Sequence, residues 1–207
     1  MPRLPRAFFR RSSLEVAPAL LGHVLARRDP DDGSVLRVRI VETEAYDEGD
    51  PASHSFRGPR PRTAVMFGPP GFLYVYFTYG MHHCMNVVTD APGRGSAVLL
   101  RAAEPVDGVS SMRQRRPGAR NDRQLLAGPG RLTQALAIDR TLDGADLVRG
   151  AQVWIERGIP VPPGDVGVTE RIGLSVAREQ PWRFVDTTSA HLSRTFVPVI
   201  RRGLARR

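Results

Sequence analysis

The spacing of apolar and polar residues divides the chain into short stretches of different period. Residues 12 to 27 open on Ser12, Ser13, Leu14 and Glu15, a capping-box pattern. Leu14, Ala17, Leu20, Leu21 and Val24 then follow at helical spacing, which predicts one amphipathic helix. Residues 35 to 46 alternate instead, with Leu36, Val38, Ile40, Glu42, Glu44 and Tyr46 on one side, and this predicts a strand. A polar loop spans 47 to 62. Beyond it, the runs 72 to 79, 83 to 89 and 97 to 103 are short, rich in aromatic and β-branched residues and bounded by Gly or Pro, so three further strands are expected. Residues 107 to 115 and 130 to 138 read as helices, 152 to 157 as a strand, and the Pro-rich 159 to 164 as a connecting loop. Strands cluster without regular strand–helix alternation. That order predicts an α+β fold, a single domain over 1 to 207 built on a mostly antiparallel sheet flanked by helices, with basic, flexible ends at 1 to 6 and 201 to 207.

Composition narrows the chemistry more than the architecture. Apolar residues are 41% and charged residues 25% of the 207, enough for a packed core, so wholesale disorder is excluded. The one cysteine, Cys84, excludes an intramolecular disulfide and any multi-sulfur metal centre. The longest apolar runs and the start Met-Pro-Arg-Leu-Pro-Arg are too short or too polar for a membrane span or signal peptide. A soluble, cytoplasmic protein is expected. The net charge is +9, and all 30 basic residues are arginine. Arginine donates bidentately to phosphate, which makes nucleic acid the leading partner class. The absence of lysine removes lysine Schiff-base chemistry.

Three features stand out against this background. The side of the 35–46 strand that should face the core ends in Glu42, Glu44 and Tyr46. Either the strand leaves the core at Ile40 and the glutamates are solvated or paired with arginines, or at least one lines a pocket where it can act as a general base. The stretch 72 to 79 holds three of the four tyrosines, which suit either a strand interior or stacking on bases. Arg101 lies in an apolar run and needs an acidic or phosphate partner. His82 and His83 are adjacent, hence on opposite sides of a strand, and no HExxH occurs, so no metal site and no cofactor is expected.

The ordered series V-E-T-E-A-Y at 41–46, A-S-H-S at 52–55, M-F at 66–67, P-G-F-L-Y-V-Y-F-T-Y-G-M at 70–81, C-M-N-V at 84–87, V-L-L-R-A-A-E-P at 98–105 and G-P-G-R-L-T-Q-A-L ending at Leu136 resembles the alkyladenine (3-methyladenine) DNA glycosylase family. The resemblance covers nearly the whole chain. It implies that Glu44 activates the hydrolytic water, with Arg101 and the Val98 backbone positioning it. Tyr46, His54 and Tyr76 would enclose a flipped base, with His54 bonding at the purine six-position. Asn86 would obstruct the exocyclic amino group of guanine. Tyr79 would fill the gap left in the base stack, with Met66 and Phe67 edging the intercalating surface. The family fold is a compact domain around a curved antiparallel sheet, similar to the carboxy-terminal domain of methionyl-tRNA formyltransferase.

The implied activity is excision of alkylated or deaminated purines (3-methyladenine, 7-methylguanine, hypoxanthine, ethenoadenine) from double-stranded DNA by a monomer. Hydrolysis of the N-glycosidic bond passes through an oxocarbenium-like state, which needs an anion near the sugar and a poised water. A glycosylase that also nicks the strand uses an amine, and without lysine only the amino terminus could serve, so monofunctional action is expected. A non-catalytic binder of damaged DNA or structured RNA is the alternative, and the pairing of Glu44 with Arg101 argues against it.

Overall fold

A computed structural model of the protein describes residues 1–78 and 80–197. Eight strands among them form one curled sheet in which every ladder is antiparallel. They are β1 (Val24–Arg28), β2 (Val35–Tyr46), β3 (Leu73–Thr78), β4 (His82–Val88), β5 (Ala97–Asp107), β6 (Val153–Glu156), β7 (Val166–Thr169) and β8 (Arg183–Asp186). The main path runs β3-β4-β5-β2-β1-β6. The first half of β2 pairs with β1, whereas Glu42, Thr43 and Glu44 pair with β8, which in turn carries β7. The helices are short: α1 (Arg6–Phe9), α2 (Ser13–Ala19), α3 (Val109–Arg115), α4 (Asp122–Leu126) and α5 (Pro129–Ala135). The main core lies between one sheet face (Leu36, Val38, Val75, Val87, Leu100) and Val16 of α2, Met112 of α3, Leu126 of α4 and Leu132 of α5. No helix of the described residues is long and apolar enough to cross a membrane.

The α+β reading, β2 and the paired strands after residue 72 agree with the sequence. The predicted helix over 12–27 does not. Ser12 and Glu15 do form the capping box, but the helix ends at Ala19. The next turn leads to Gly22 at φ +84°, whose N–H bonds the Ile40 carbonyl at 2.8 Å, and residues 24–28 become β1. Leu20, Leu21 and Leu25 are buried in either conformation, so apolar spacing could not separate a helix from a helix followed by a strand. The amino-terminal residues are not a loose fringe either. Leu4 is buried, its N–H bonds the Ile155 carbonyl, and Arg3 bridges to Glu156 and lies over the Trp154 ring. The other proposed loose end, 201–207, lies outside the described residues.

A second departure sets up the site. Between β2 and β5, Ile40 pairs with Ala103, Glu42 with Ala102 and Thr43 with Leu100. Val41 is therefore an extra residue on β2 and Arg101 an extra residue on β5, two opposed bulges that cancel in register. Passing Val41, β2 exchanges its faces. Ile40 and Ala45 belong to the main core, and the Thr43 hydroxyl donates to the Ala17 carbonyl of α2 at 2.9 Å. Val41, with Ala102, packs on the opposite face against Val185 and Leu192. Glu42 and Glu44 share that opposite face, so the continuous stripe from Leu36 to Tyr46 expected from simple alternation is broken at the bulge.

Candidate active site

One line of directly paired residues crosses five strands: Tyr74 on β3, Asn86 on β4, Leu99 on β5, Glu44 on β2 and Arg183 on β8. Paired residues share a face, so this register alone aligns a tyrosine, an amide and a carboxylate. The pair Tyr76 and Cys84 lies beside it. Over this face, the loop after β2 and residues 172–174 close a cavity of about 310 Å³. Tyr46, His54, Tyr76, Asn86, Arg101 and Met66 are among its lining residues.

Glu44 is fully buried and sits directly behind the cavity wall. Its Oε1 accepts the Ile172 N–H at 2.7 Å, and its Oε2 accepts the Tyr46 hydroxyl at 2.9 Å and Arg101 Nη1 at 3.3 Å. All three donors belong to residues that line the cavity. Arg101 reaches the carboxylate from the bulge on β5, and its Nε also donates to Glu42 Oε1 at 3.0 Å. Burial works against the Arg101 charge, but Glu44 and Glu42 outweigh it and push its pKa further up.

Glu42 has a different environment. Arg183 Nε, Arg101 Nε and the Ser193 hydroxyl converge on its Oε1, and the Ser193 N–H donates to its Oε2 at 2.6 Å. Burial would raise the Glu42 carboxyl, yet Arg101, Arg183 and Ser193 hold it below the usual carboxylate range. Glu42 is an anchor joining β2, β5 and β8.

The aromatic wall is mutually locked. His54 Nδ1 lies 3.0 Å from the Tyr74 hydroxyl, and the His54 ring meets Tyr76 edge-on at 4.5 Å between centroids. Burial, followed by Arg62, lowers the His54 pKa and favours the neutral ring. Burial raises Tyr74 to about 12 and raises Tyr76 and Tyr46 further, Tyr46 also through Glu44. It raises the Cys84 thiol as well. At neutral pH these phenols and the thiol stay protonated. Asn86, 5% exposed, donates to the Tyr74 carbonyl at 3.4 Å.

Residues 7–190 match the family model for methylpurine-DNA glycosylase. Three relatives carry the name "Putative 3-methyladenine DNA glycosylase". That of Carboxydothermus hydrogenoformans is 49% identical over 92% of this chain and 98% of its own. The Streptomyces avermitilis protein is 51% identical over 87% and 86%, and the Methanocella arvoryzae protein 44% identical over 94% and 97%. The chain belongs to the methylpurine-DNA glycosylase family. It is an enzyme of the hydrolase class, a DNA glycosylase of base excision repair.

Of the residues expected to serve such a glycosylase, the structure gathers Glu44, Arg101, Tyr46, His54, Tyr76, Asn86 and Met66 at one cavity. Phe67 follows Met66 in a 3-10 turn and packs near Gly95, off the cavity lining. Val98 is placed in the main core, paired with Ala45 and Val87, and does not line the cavity. Tyr79 lies outside the described residues; Phe77 and Met81, close to it in sequence, are exposed. Sequence reasoning missed Ile172, whose backbone meets Glu44, and Arg171, Asp50, Arg183 and Ser193, which fix the surrounding segments. A backbone N–H has no residue-type signature, and Arg171 and Arg183 do not lie in a long apolar run like the one that marks Arg101 among the 30 arginines.

Proposed function

We propose that this glycosylase is monofunctional and excises 3-methyladenine and related damaged purines from double-stranded DNA, with Glu44 as the base that takes a proton from the attacking water. The observation that carries the reading is the proton inventory of the cavity. Its phenols and thiol are held protonated, Arg101 is held cationic, and Glu42 is saturated by its own donors. Glu44 is the carboxylate whose donors face the cavity. As the bond to the base lengthens, positive charge develops on the sugar, and a carboxylate stabilises it while orienting water.

The rings of Tyr46, His54 and Tyr76 supply stacking surfaces for an extruded base, and a cationic alkylated purine gains cation–π attraction there. A neutral His54 that accepts the Tyr74 hydroxyl at Nδ1 presents an Nε2–H to the six-position acceptor of hypoxanthine or ethenoadenine, and in the other tautomer, donating from Nδ1, it presents a bare Nε2 to the six-amino group of 3-methyladenine. Asn86, packed and tethered, fills the space that the amino group of an undamaged guanine would need. Hypoxanthine and ethenoadenine lack that group and fit the same wall, whereas 7-methylguanine keeps it, and its weakened glycosidic bond offsets the poorer fit. Tyr79 fills the gap left in the base stack, close in sequence to the exposed Phe77 and Met81, while Met66 and Phe67 edge the intercalating surface. The fold relation to the formyltransferase carboxy-terminal domain and action as a monomer belong to this reading.

No lysine is present, and residues 1–6 line no part of the cavity, which supports hydrolysis without strand cleavage. The test is Glu44→Gln with duplexes that differ only in the lesion. Base release should fall by about 10²–10⁴-fold while lesion binding persists. Unchanged release would remove Glu44 from the reaction, and no release by the unaltered protein would remove the glycosylase reading.

A further inference from the structure

Arg171 is the most completely enclosed cation of the described residues near the cavity, yet it does not line it. Its side chain and that of Asp50 are 0% exposed, and the two pair through both terminal guanidinium nitrogens and both carboxylate oxygens. Nη1 also donates to the Ala45 carbonyl at 3.0 Å, and Nη2 to the Ala177 carbonyl at 3.3 Å. The guanidinium lies between two rings, 4.6 Å from the Tyr46 centroid and 5.0 Å from that of Trp182.

Ala45, Asp50 and Ala177 do not line the cavity themselves but belong to three different segments that carry its wall. Ala45 stands between Glu44 and Tyr46 on β2. Asp50 accepts the Ala52 N–H at 3.0 Å, and its carbonyl accepts the Ser53 N–H, so it shapes the turn that presents His54. Ala177 closes the loop whose second residue, Ile172, donates its N–H to Glu44. One buried charge pair thus ties together the ring that stacks on a base, the loop bearing the histidine and the backbone donor to the carboxylate.

We infer that Arg171, through Asp50, is a positioning residue for the glycosylase reaction: it orients Glu44 by way of the Ile172 N–H and holds the Tyr46 ring from behind. This rests on the proposed role of Glu44. An isolated buried ion pair adds little net stability over apolar packing, because desolvation offsets the attraction. What the pair adds is geometry: a planar fork that fixes two loops at once, which an ammonium cannot reproduce. Catalytic groups displaced by an ångström lose rate out of proportion to binding.

The experiment compares Arg171→Lys and Asp50→Asn with the unaltered chain in single-turnover base release, normalised to the fraction of protein that binds lesion duplex. Release should fall at least tenfold in both variants while the lesion-duplex Kd stays within threefold. A purely structural role predicts a smaller folded fraction with an unchanged rate per bound complex, and that result would overturn the inference. So would failure of both variants to fold, which would assign the pair to the scaffold alone. If the unaltered chain releases no base, the underlying glycosylase reading fails instead, and the two failures are told apart.

Discussion

Two glutamates separated by a single residue illustrate how neighbours assign chemistry. In sequence Glu42 and Glu44 are equivalent candidates. In the fold Glu42 takes two guanidinium groups and both polar groups of Ser193, whereas Glu44 takes one guanidinium, one phenol and one backbone N–H, all from the cavity side. Glu42→Gln removes the counter-charge of buried Arg183 and one of the two carboxylates paired with Arg101, and should cost about 3–5 kcal/mol of stability, measured as a shift in the urea midpoint. Tyr46→Phe keeps the ring and deletes the hydroxyl that reaches Glu44. Its binding of lesion DNA should be nearly unchanged, and its release rate should drop by about one order of magnitude, the scale of one hydrogen bond to a charged group. A matching loss in binding would show that the hydroxyl serves the pocket rather than the carboxylate.

At the scale of elements, what alternation and caps can encode was legible and what long-range pairing decides was not. The capping box at Ser12, the span of β2 and the hairpin of β3 and β4 follow from local pattern. The stop of α2, the short β7 and β8 and the bulges at Val41 and Arg101 follow from partners far along the chain, which leave no periodic trace. The site shows the same division: Glu44, His54 and Asn86 were recognisable through their motifs, while Ile172 contributes only backbone. Gly22 marks the point where α2 gives way to β1. It sits at φ +84°, and a Cβ there would lie 2.0 Å from the Ile159 carbonyl oxygen. Gly22→Ala combines an unfavourable left-handed residue with a backbone collision, so it should destabilise by more than about 2 kcal/mol. Thermal unfolding of the variant measures this directly.

For the molecule as a whole, charge and protonation govern behaviour beyond the pocket. With a net charge of +9, binding to duplex DNA should weaken steeply as salt rises, through counterion release. The release rate of the preformed complex should change little, because its groups are buried. Stability should respond to mild acid through His23. Burial, followed by Arg157, pushes its pKa from 6.5 down to about 4, and its Nδ1 accepts the Gly158 N–H at 3.0 Å. Between those values the unfolded chain binds a proton that the folded chain refuses. Stability is therefore complete above about pH 6.5 and declines toward pH 4, by up to about 3 kcal/mol. Urea midpoints at pH 4.5 and 7 should differ less in His23→Asn than in the unaltered protein.

The opposed bulges at Val41 and Arg101 carry one more implication, for how this chain can change over generations. Each surplus residue is the counterweight of the other, so losing Val41 alone would slide every later pair of β2 and β5 out of step. Losing both would restore the alignment and leave Glu44 facing the cavity, but would delete the guanidinium that meets its carboxylate. Neither path leaves a working enzyme: strand length here is pinned, and variation in this part of the protein is confined to exchanging side chains.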